Sequence, residues 1–598
     1  MLKNIKNFVI NPYIFLGTTI TALFVYIHNK FTLESWNYPL GYMGGDIILV
    51  QAIVKNFANF NWLSPLHQKE VPNLNYPDGA NWSAWPITEE IPQYIFGLIG
   101  SQIGVYPAIN FLSLFLYLSA GLSFLYVAQN YKIKLPLALT GAIVFAFCMF
   151  IPVRGLAHLS VSMVWHIPII ILICDWAYRK NNYSITNNKY ILFIVFCFIF
   201  GGFSPYYSAM CCMFLIFALL VHFFRKNYLA IKMPIIFLFT IIFSFCIWNF
   251  DTFYNTYLYG APEILGGRNM GALQIYAMQL PELFYDPDTR RILGKLGDHL
   301  FYHKSLFKGE FWSPYLGIIG SICFLFLIIH SSIRLLKGNF KAISIHYFYS
   351  IWIILFSLVG GINLLIGTIG FTWLRATNRF SIFLLIIGLI YTLRYLSKNL
   401  SIAKIIFISI LGVLITYIEF IHPRLTYERD HLKNSYNFVK QEISDDKKLV
   451  EAIEQKVPNG KVFQLPVTTF PEFGFSHKMP DYEHLRPFLH AESLSFSYGQ
   501  VRGRAPFHHG WQNSLSKLST GDMINEIGLM SFNVILFSKL GYPDEGHFLR
   551  ATLDKMGHKF IYETPFFVAY EIIKTQLVPA KDVNVIFGTG WSADEKTH

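Results

Sequence analysis

Asp46 follows Gly44 and Gly45 and opens an apolar-periodic run, and three further acids, Asp78, Glu89 and Glu90, fall in the same polar stretch. At turns between later apolar runs stand Arg154 and His158, then Tyr206 and Tyr207, then Arg375 and Arg379. A carboxylate can take the proton of an attacking hydroxyl. Guanidinium forks can hold a departing phosphate by paired charged hydrogen bonds, and stabilising such a leaving group supplies much of the rate. This set of residue types therefore suits transfer of a sugar from a lipid phosphate. Asp46 is the candidate base, and Arg154, Arg375 and Arg379 are candidates for the phosphate. Asp78, Glu89, Glu90, His158, Tyr206 and Tyr207 are candidate contacts to sugar or acceptor. Plainer readings stand beside these. Asp is a favoured N-cap residue, and Glu89 and Glu90 would complement the dipole of a helix starting near Ile91. His158 fits a packed interfacial histidine, and Arg154, Arg375 and Arg379 fit interfacial anchors.

The elements that must position these groups are mostly apolar. The 598 residues are 54% hydrophobic and only 14% charged, which excludes an ordinary soluble domain. Runs of near twenty apolar residues recur between Phe8 and Ile421, each long enough for a hydrocarbon core of about 30 Å. Eleven such spans are expected, at about 8–27, 107–127, 136–152, 160–176, 190–202, 206–224, 234–250, 314–332, 345–366, 380–396 and 404–421. The first lacks a small-residue cleavage site and reads as a retained span. The net charge of +12 does not point to nucleic acid, because the basic residues sit in short loops between spans rather than on one folded face. If segments alternate sides, six of them carry sixteen basic residues against one acid, Asp175. That asymmetry places the N-terminus in the cytoplasm and leaves loops 28–91 and 251–313, with everything after 422, on the exterior.

In the first of these loops, Val50, Ile53, Val54, Phe57 and Phe60 share one helical face, with Gln51, Lys55, Asn56 and Asn59 on the other. The pattern predicts an amphipathic helix, Ile47 to Trp62, lying on a bilayer surface. Tyr76, Trp82, Trp85 and Tyr94 fit sugar stacking or an interfacial belt. In the second loop, Asp286-Pro287-Asp288 reads either as a two-carboxylate metal motif or as a turn opening a helix, 292–299. The seven cysteines all lie within or at the ends of apolar segments, so neither a disulfide framework nor a metal-binding CxxC pair is implied.

From Pro423 onward charge becomes frequent and no run is long enough to span. A polar helix over 427–456, strands over 461–467 and 532–537, helices over 523–530 and 547–556, and a terminal hairpin over 560–571 predict a small α/β domain. An irregular insertion, Thr468–Gln512, contains Asp481-Tyr-Glu-His-Leu-Arg486 and Tyr498-Gly-Gln-Val-Arg502-Gly-Arg504. The expected architecture is thus an α-helical polytopic membrane protein, 1–422, with an exterior α/β domain, 423–598. The distant loops are expected to meet over one wet pocket.

Several stretches resemble the bacterial multi-spanning glycosyltransferases of the GT-C fold, nearest to their YfhO-like members. These are Gly44-Gly45-Asp46, Asn75-Tyr-Pro-Asp-Gly79, Tyr106-Pro-Ala-Ile-Asn110, Leu118-Ser-Ala-Gly-Leu122, Pro152-Val-Arg154 and Leu156-Ala-His158-Leu159. Trp165-His-Ile-Pro168, Ser313-Pro-Tyr-Leu-Gly317 and Arg375-Ala-Thr-Asn-Arg379-Phe380 complete the likeness, which covers about Tyr13 to Ile421. It implies a polyprenyl-phosphate sugar donor, a cell-envelope glycan, lipid or protein as acceptor, and action on the exterior face of the cytoplasmic membrane. It also implies that the first-loop acid, by position Asp46, is the catalytic base. No Asp-x-Asp pair stands in that loop, so no cofactor is expected and a divalent metal is left open. The alternatives are a flippase or exporter of lipid-linked glycans, and a glycan polymerase or ligase.

Overall fold

The computed structural model describes residues 11–42, 45–60, 62, 66–85, 87, 90–179, 188–262, 270–286, 288, 291–310, 313–502 and 510–574, with backbone alone at 423–435, 510 and 513. Gly44, Glu89, Pro287 and Arg504 lie outside them, as do Lys3 and Lys6. The chain forms two compact units. One gathers Met1–Trp36, Asn110–Cys246 and Arg268–Lys433, and the other Asn37–Ile109, Ile247–Gly267 and Asn434–His598. Composition suggests one cut near 422. The contacts instead group most of the first polar loop with the C-terminal region.

The first unit is an apolar helical bundle. Among the described residues, seven helices of the chain are long and apolar enough to cross a bilayer: Val105–Asn130, Leu135–Arg154, Pro205–Phe224, Tyr228–Trp248, Gly317–Leu336, Thr377–Asn399 and Ile402–Ile421. Pro12–Ile27, Asn188–Gly201 and Ile345–Ser357 are shorter apolar helices, and His166–Arg179 is a buried one. Every expected span therefore contains helix. Burial separates centre from rim: Thr377–Asn399 has 78% of its apolar window enclosed and Gly317–Leu336 only 28%. The open faces carry Phe239, Ile242, Phe243, Ile322 and Ile329, side chains suited to hydrocarbon. A Cβ at Gly388 would lie 2.9 Å from the backbone N of Phe324, so glycine lets these two helices meet closely, as small residues do in membrane bundles. The expected span 345–366 is broken. Its helix stops at Ser357, Gly360 takes φ +73°, and a short helix, Ile362–Gly367, follows. The Gly360-Gly361 pair, freed from side-chain constraint, turns the chain there.

The second unit is built on a sheet. After a two-stranded ribbon, β1 (Glu70–Val71) and β2 (Ala80–Asn81), come β3 (Lys461–Leu465), β4 (Ser495–Phe496), β5 (Val534–Ser538), β6 (Lys559–Glu563) and β7 (Phe567–Glu571). The last five form one sheet in the order β4-β3-β5-β7-β6. β3 is parallel to β4 and β5, while β7 is antiparallel to β5 and β6. All five residues of β5 are buried, as a central strand covered on both faces requires. Phe463, Leu465, Ile535, Phe537, Val568 and Tyr570 face helices Thr520–Leu529 and His547–Lys555. Val462, Val534, Leu536, Phe567 and Ala569 belong to a second core with Ile48, Ile53, Phe57, Trp82, Leu449 and Ile453. The first polar loop thus supplies part of the second layer of this α/β fold.

Candidate active site

The second unit holds Asp46, the first residue of helix Asp46–Phe60. Gly45 before it takes φ +54°, a left-handed geometry that favours glycine. The expected surface helix is corrected here. Of its polar face, Gln51, Lys55 and Asn56 are buried while Asn59 is exposed, and the helix packs against Glu90–Ile103 and Leu485–His490. A Cβ at Gly97 would lie 2.5 Å from that of Phe57, which shows how closely two of these helices approach. Two of the buried polar side chains, Gln51 and Lys55, reach backbone carbonyls. Gln51 Nε2 donates to the Gly41 carbonyl at 2.9 Å. Lys55 Nζ donates to the carbonyls of Phe488 and Ala491 at 2.6 and 2.9 Å. Periodicity located the helix, but polar side chains that reach backbone carbonyls, as Gln51 and Lys55 do, read in sequence like ones facing water.

Burial pushes the Asp46 carboxyl up to about 6, helped by the charges of Glu472 and Asp481. An isolated carboxyl would titrate near 4, so this one changes protonation close to neutral pH, as a general base must. Glu472 and Asp481 belong to the insertion after β3. There Asp481 Oδ1 accepts from Gly474 N at 2.6 Å and closes the loop on itself. Sequence reading did not single out Glu472, and nothing in its spacing marks it.

The other first-loop candidates occupy different places. Asp78 is exposed, in a turn where the N–H of Asp78 and that of Gly79 donate to Asn75 O. Glu90 is wholly buried, with its Oε2 2.9 Å from Lys69 Nζ. The same ammonium pairs with Asp251. Trp82, a possible sugar platform, is wholly buried, stacks on Phe470 with ring centroids 5.0 Å apart, and donates from Nε1 to Gly499 O. It belongs to the core. Glu89 lies outside the described residues.

The first unit holds the arginines. Helix Phe150–Arg154 ends at Gly155, whose φ of +48° turns the chain, and a short 3-10 turn, Thr377–Phe380, leads into Ser381–Asn399. Between them comes Glu310. Arg154 Nη1 donates to Glu310 Oε2 at 2.8 Å and its Nη2 donates to Ser313 Oγ. Arg379 grips the same carboxylate with two nitrogens, Nε to Oε2 at 3.1 Å and Nη2 to Oε1 at 2.5 Å. The Glu310 carbonyl accepts from Asn378 Nδ2 at 3.1 Å and from Ser313 Oγ at 2.9 Å. Burial alone would raise the Glu310 carboxyl, yet the charges and hydrogen bonds of Arg379 and Arg154 hold it well below the usual carboxylate range. Burial, together with Arg379 and Arg154, lowers His158 to about 4, so its imidazole is neutral at physiological pH.

The aromatic candidates frame this cluster. The Arg379 guanidinium lies 4.9 Å from the centroid of the Tyr206 ring, and that of Arg154 lies 4.9 Å from Phe150. Arg375 lies over Tyr276 at 5.4 Å. The Tyr207 hydroxyl donates to Val161 O at 2.6 Å, tying helix Pro205–Phe224 to a neighbouring turn. Glu310 is the residue that sequence reasoning missed. It is one acid in a loop with several, and only the fold brings it between two arginines from distant spans.

Asp286 and Asp288 close on Arg291, at 2.6 and 3.5 Å, while Asp288 N donates to Asp286 Oδ1 at 2.9 Å. That is the turn reading of the Asp-Pro-Asp motif. Among the described residues, no group of three or more His, Cys, Asp or Glu side chains is placed to hold a metal ion.

Among solved structures, the chain is similar to the archaeal oligosaccharyltransferase AglB from Archaeoglobus fulgidus in complex with an inhibitory peptide and a dolichol-phosphate. The identity is 11% and the TM-score 0.42, over 95% of this chain and 75% of that one. An oligosaccharyltransferase from the same organism, in complex with Zn and sulfate, gives 11% identity and a TM-score of 0.41 over 93% and 72% of the two chains. The form tethered with an acceptor peptide containing the NVT sequon gives 10% and 0.41 over 93% and 74%. No protein-family model and no curated protein sequence matches the chain.

Proposed function

We propose that the protein is a membrane glycosyltransferase. In this reading it moves a sugar from a polyprenyl-phosphate donor to a glycan, lipid or protein acceptor on the exterior face of a bacterial cytoplasmic membrane. The observation that carries the reading is the convergence of Arg154 and Arg379 on a single carboxylate, at the ends of two apolar helices. A site that binds one oxyanion through two guanidinium groups suits a phosphate. Ionisable groups within membrane spans face the bundle interior or a cavity, pair with one another, and mark substrate paths.

The acceptor oxygen attacks the anomeric carbon while Asp46 takes its proton. The bond from that carbon to the donor phosphate oxygen breaks, and its electron pair leaves with the polyprenyl phosphate. Arg154, Arg379 and Arg375 stabilise the charge that develops on this leaving group. Attack opposite the leaving group inverts the anomeric centre. His158, Tyr206 and Asp78 are assigned to sugar or acceptor contacts, and Tyr207 positions the helix that carries Tyr206.

The test is Asp46→Asn in the purified full-length protein. Turnover of a polyprenyl-phosphate sugar should be lost while donor binding is kept. Glycosyl transfer that survives in this variant overturns the assignment of the base. If the wild-type protein binds the donor but releases no polyprenyl phosphate with any acceptor, the transferase reading itself fails.

A further inference from the structure

We propose that Glu310 is a displaceable internal counter-anion, whose carboxylate occupies the oxyanion seat of Arg154 and Arg379 until a phosphate headgroup evicts it. The inference rests on the phosphate role given to these arginines above and adds a residue that selects for the ligand's charge.

Three observations and one physical argument support it. The seat is complete: Arg379 binds both oxygens of the carboxylate, and Arg154 shares one of them. It is a buried seat, since the side chains of Arg154 and Arg379 are 0% and 12% exposed and that of Glu310 is 11% exposed. Two guanidinium groups held together away from water without an anion would carry a large desolvation and repulsion cost. A resident carboxylate removes that cost when no substrate is bound. The arginines also have supports that do not depend on the Glu310 carboxylate, namely the Phe150 and Tyr206 rings and Ser313 Oγ. They can therefore keep their places when it leaves.

The hinge of the device is the Glu310 side chain. Its backbone carbonyl is held by Asn378 and Ser313, so the main chain can stay anchored while the carboxylate swings out. Arg379 holds the carboxylate as it would hold two oxygens of a phosphate. A phosphate monoester, the form in which the polyprenyl phosphate leaves the sugar, offers more acceptor oxygens and more negative charge than a carboxylate does, and so has the advantage in the exchange. A neutral lipid alcohol has none. The seat then discriminates by charge, because only a strong oxyanion repays the loss of Glu310.

The experiment measures binding of farnesyl phosphate, with farnesol as the neutral control, to the full-length protein in detergent. Glu310→Gln keeps the shape and removes the charge. It should bind farnesyl phosphate about tenfold more tightly than wild type, the scale of one charge-assisted hydrogen bond, with farnesol binding unchanged. Glu310→Asp draws the carboxylate back by one methylene and should give a smaller gain in the same direction, which provides a second reading if the glutamine variant folds poorly. A purely structural Glu310 would instead weaken binding when replaced. Arg379→Lys separates the two ideas. If it loses farnesyl phosphate while neither Glu310 variant gains, the displacement is wrong and the phosphate role stands. If wild type binds and Arg379→Lys is unaffected, the seat lies elsewhere and both are overturned.

Discussion

The Oε2 of Glu90 lies 2.9 Å from the Nζ of Lys69, and both side chains are closed to solvent. Asp251 meets the same ammonium from helix Phe250–Tyr259, so two acids share one buried cation. Replacing either acid alone leaves Lys69 a partner. Replacing both, as Glu90→Gln with Asp251→Asn, strands a buried charge, which costs about 3–5 kcal/mol. Denaturant unfolding should show each single variant losing much less than the pair. Donor KM should be unmoved in Glu90→Gln, and a rise in KM with unchanged stability would restore Glu90 as a substrate contact.

The acid limb of kcat/KM should have its midpoint near 6, where the Asp46 carboxyl titrates. Only the ionised form accepts a proton, so activity rises with pH through that value. The charge of Asp481 raises the Asp46 carboxyl. Asp481→Asn should therefore move the limb to lower pH while leaving the alkaline side in place. A limb that does not move, or moves upward, contradicts this assignment of the base.

Arg379→Lys keeps a positive charge but loses the fork that grips two oxygens at once. The expected loss is about 1.5–3 kcal/mol of donor binding, the worth of a hydrogen bond to a charged group, read as a raised donor KM. Acceptor KM should change little, since the arginine is assigned to the leaving group.

A buried network in the second unit gives a stability signature. Arg486 reaches Asp446, Glu483 and Glu442 at 2.9, 2.6 and 2.8 Å, three acids to one guanidinium. Burial drives the Glu442 carboxyl up from 4.5 to about 7, against the opposing pull of Arg486. A carboxyl raised in the folded state binds more protons folded than unfolded. Its contribution to stability is therefore full below 4.5 and is lost as pH rises toward 7. Glu442→Gln, which mimics the protonated acid, should flatten the decline in unfolding free energy across that window.

Much of this protein is legible in its sequence. Long apolar runs become helices because hydrocarbon leaves the backbone no other partner, and all eleven expected positions hold helix. Most strands and helices after residue 460 follow from alternation and turn chemistry, including the hairpin of β6 and β7 around Thr564 and Pro565, but β4 and helix Leu485–His490 lie in the insertion that reads as irregular. Local pattern also located the helix behind Asp46 and the arginines at the span ends. All of these depend on interactions between residues near one another in the chain.

Local pattern could not supply the long-range partners. Ile48, Ile53 and Phe57 announce an apolar face, but the same face serves a lipid surface or a protein core. Only the closing of the sheet over it decided for the core. Glu310 carries no distinguishing neighbour in sequence, and its role depends on arginines more than sixty residues away on either branch. Electrostatic pairing acts through space, so residue types and periodicity could nominate the charged groups, and only the tertiary structure could say which of them meet.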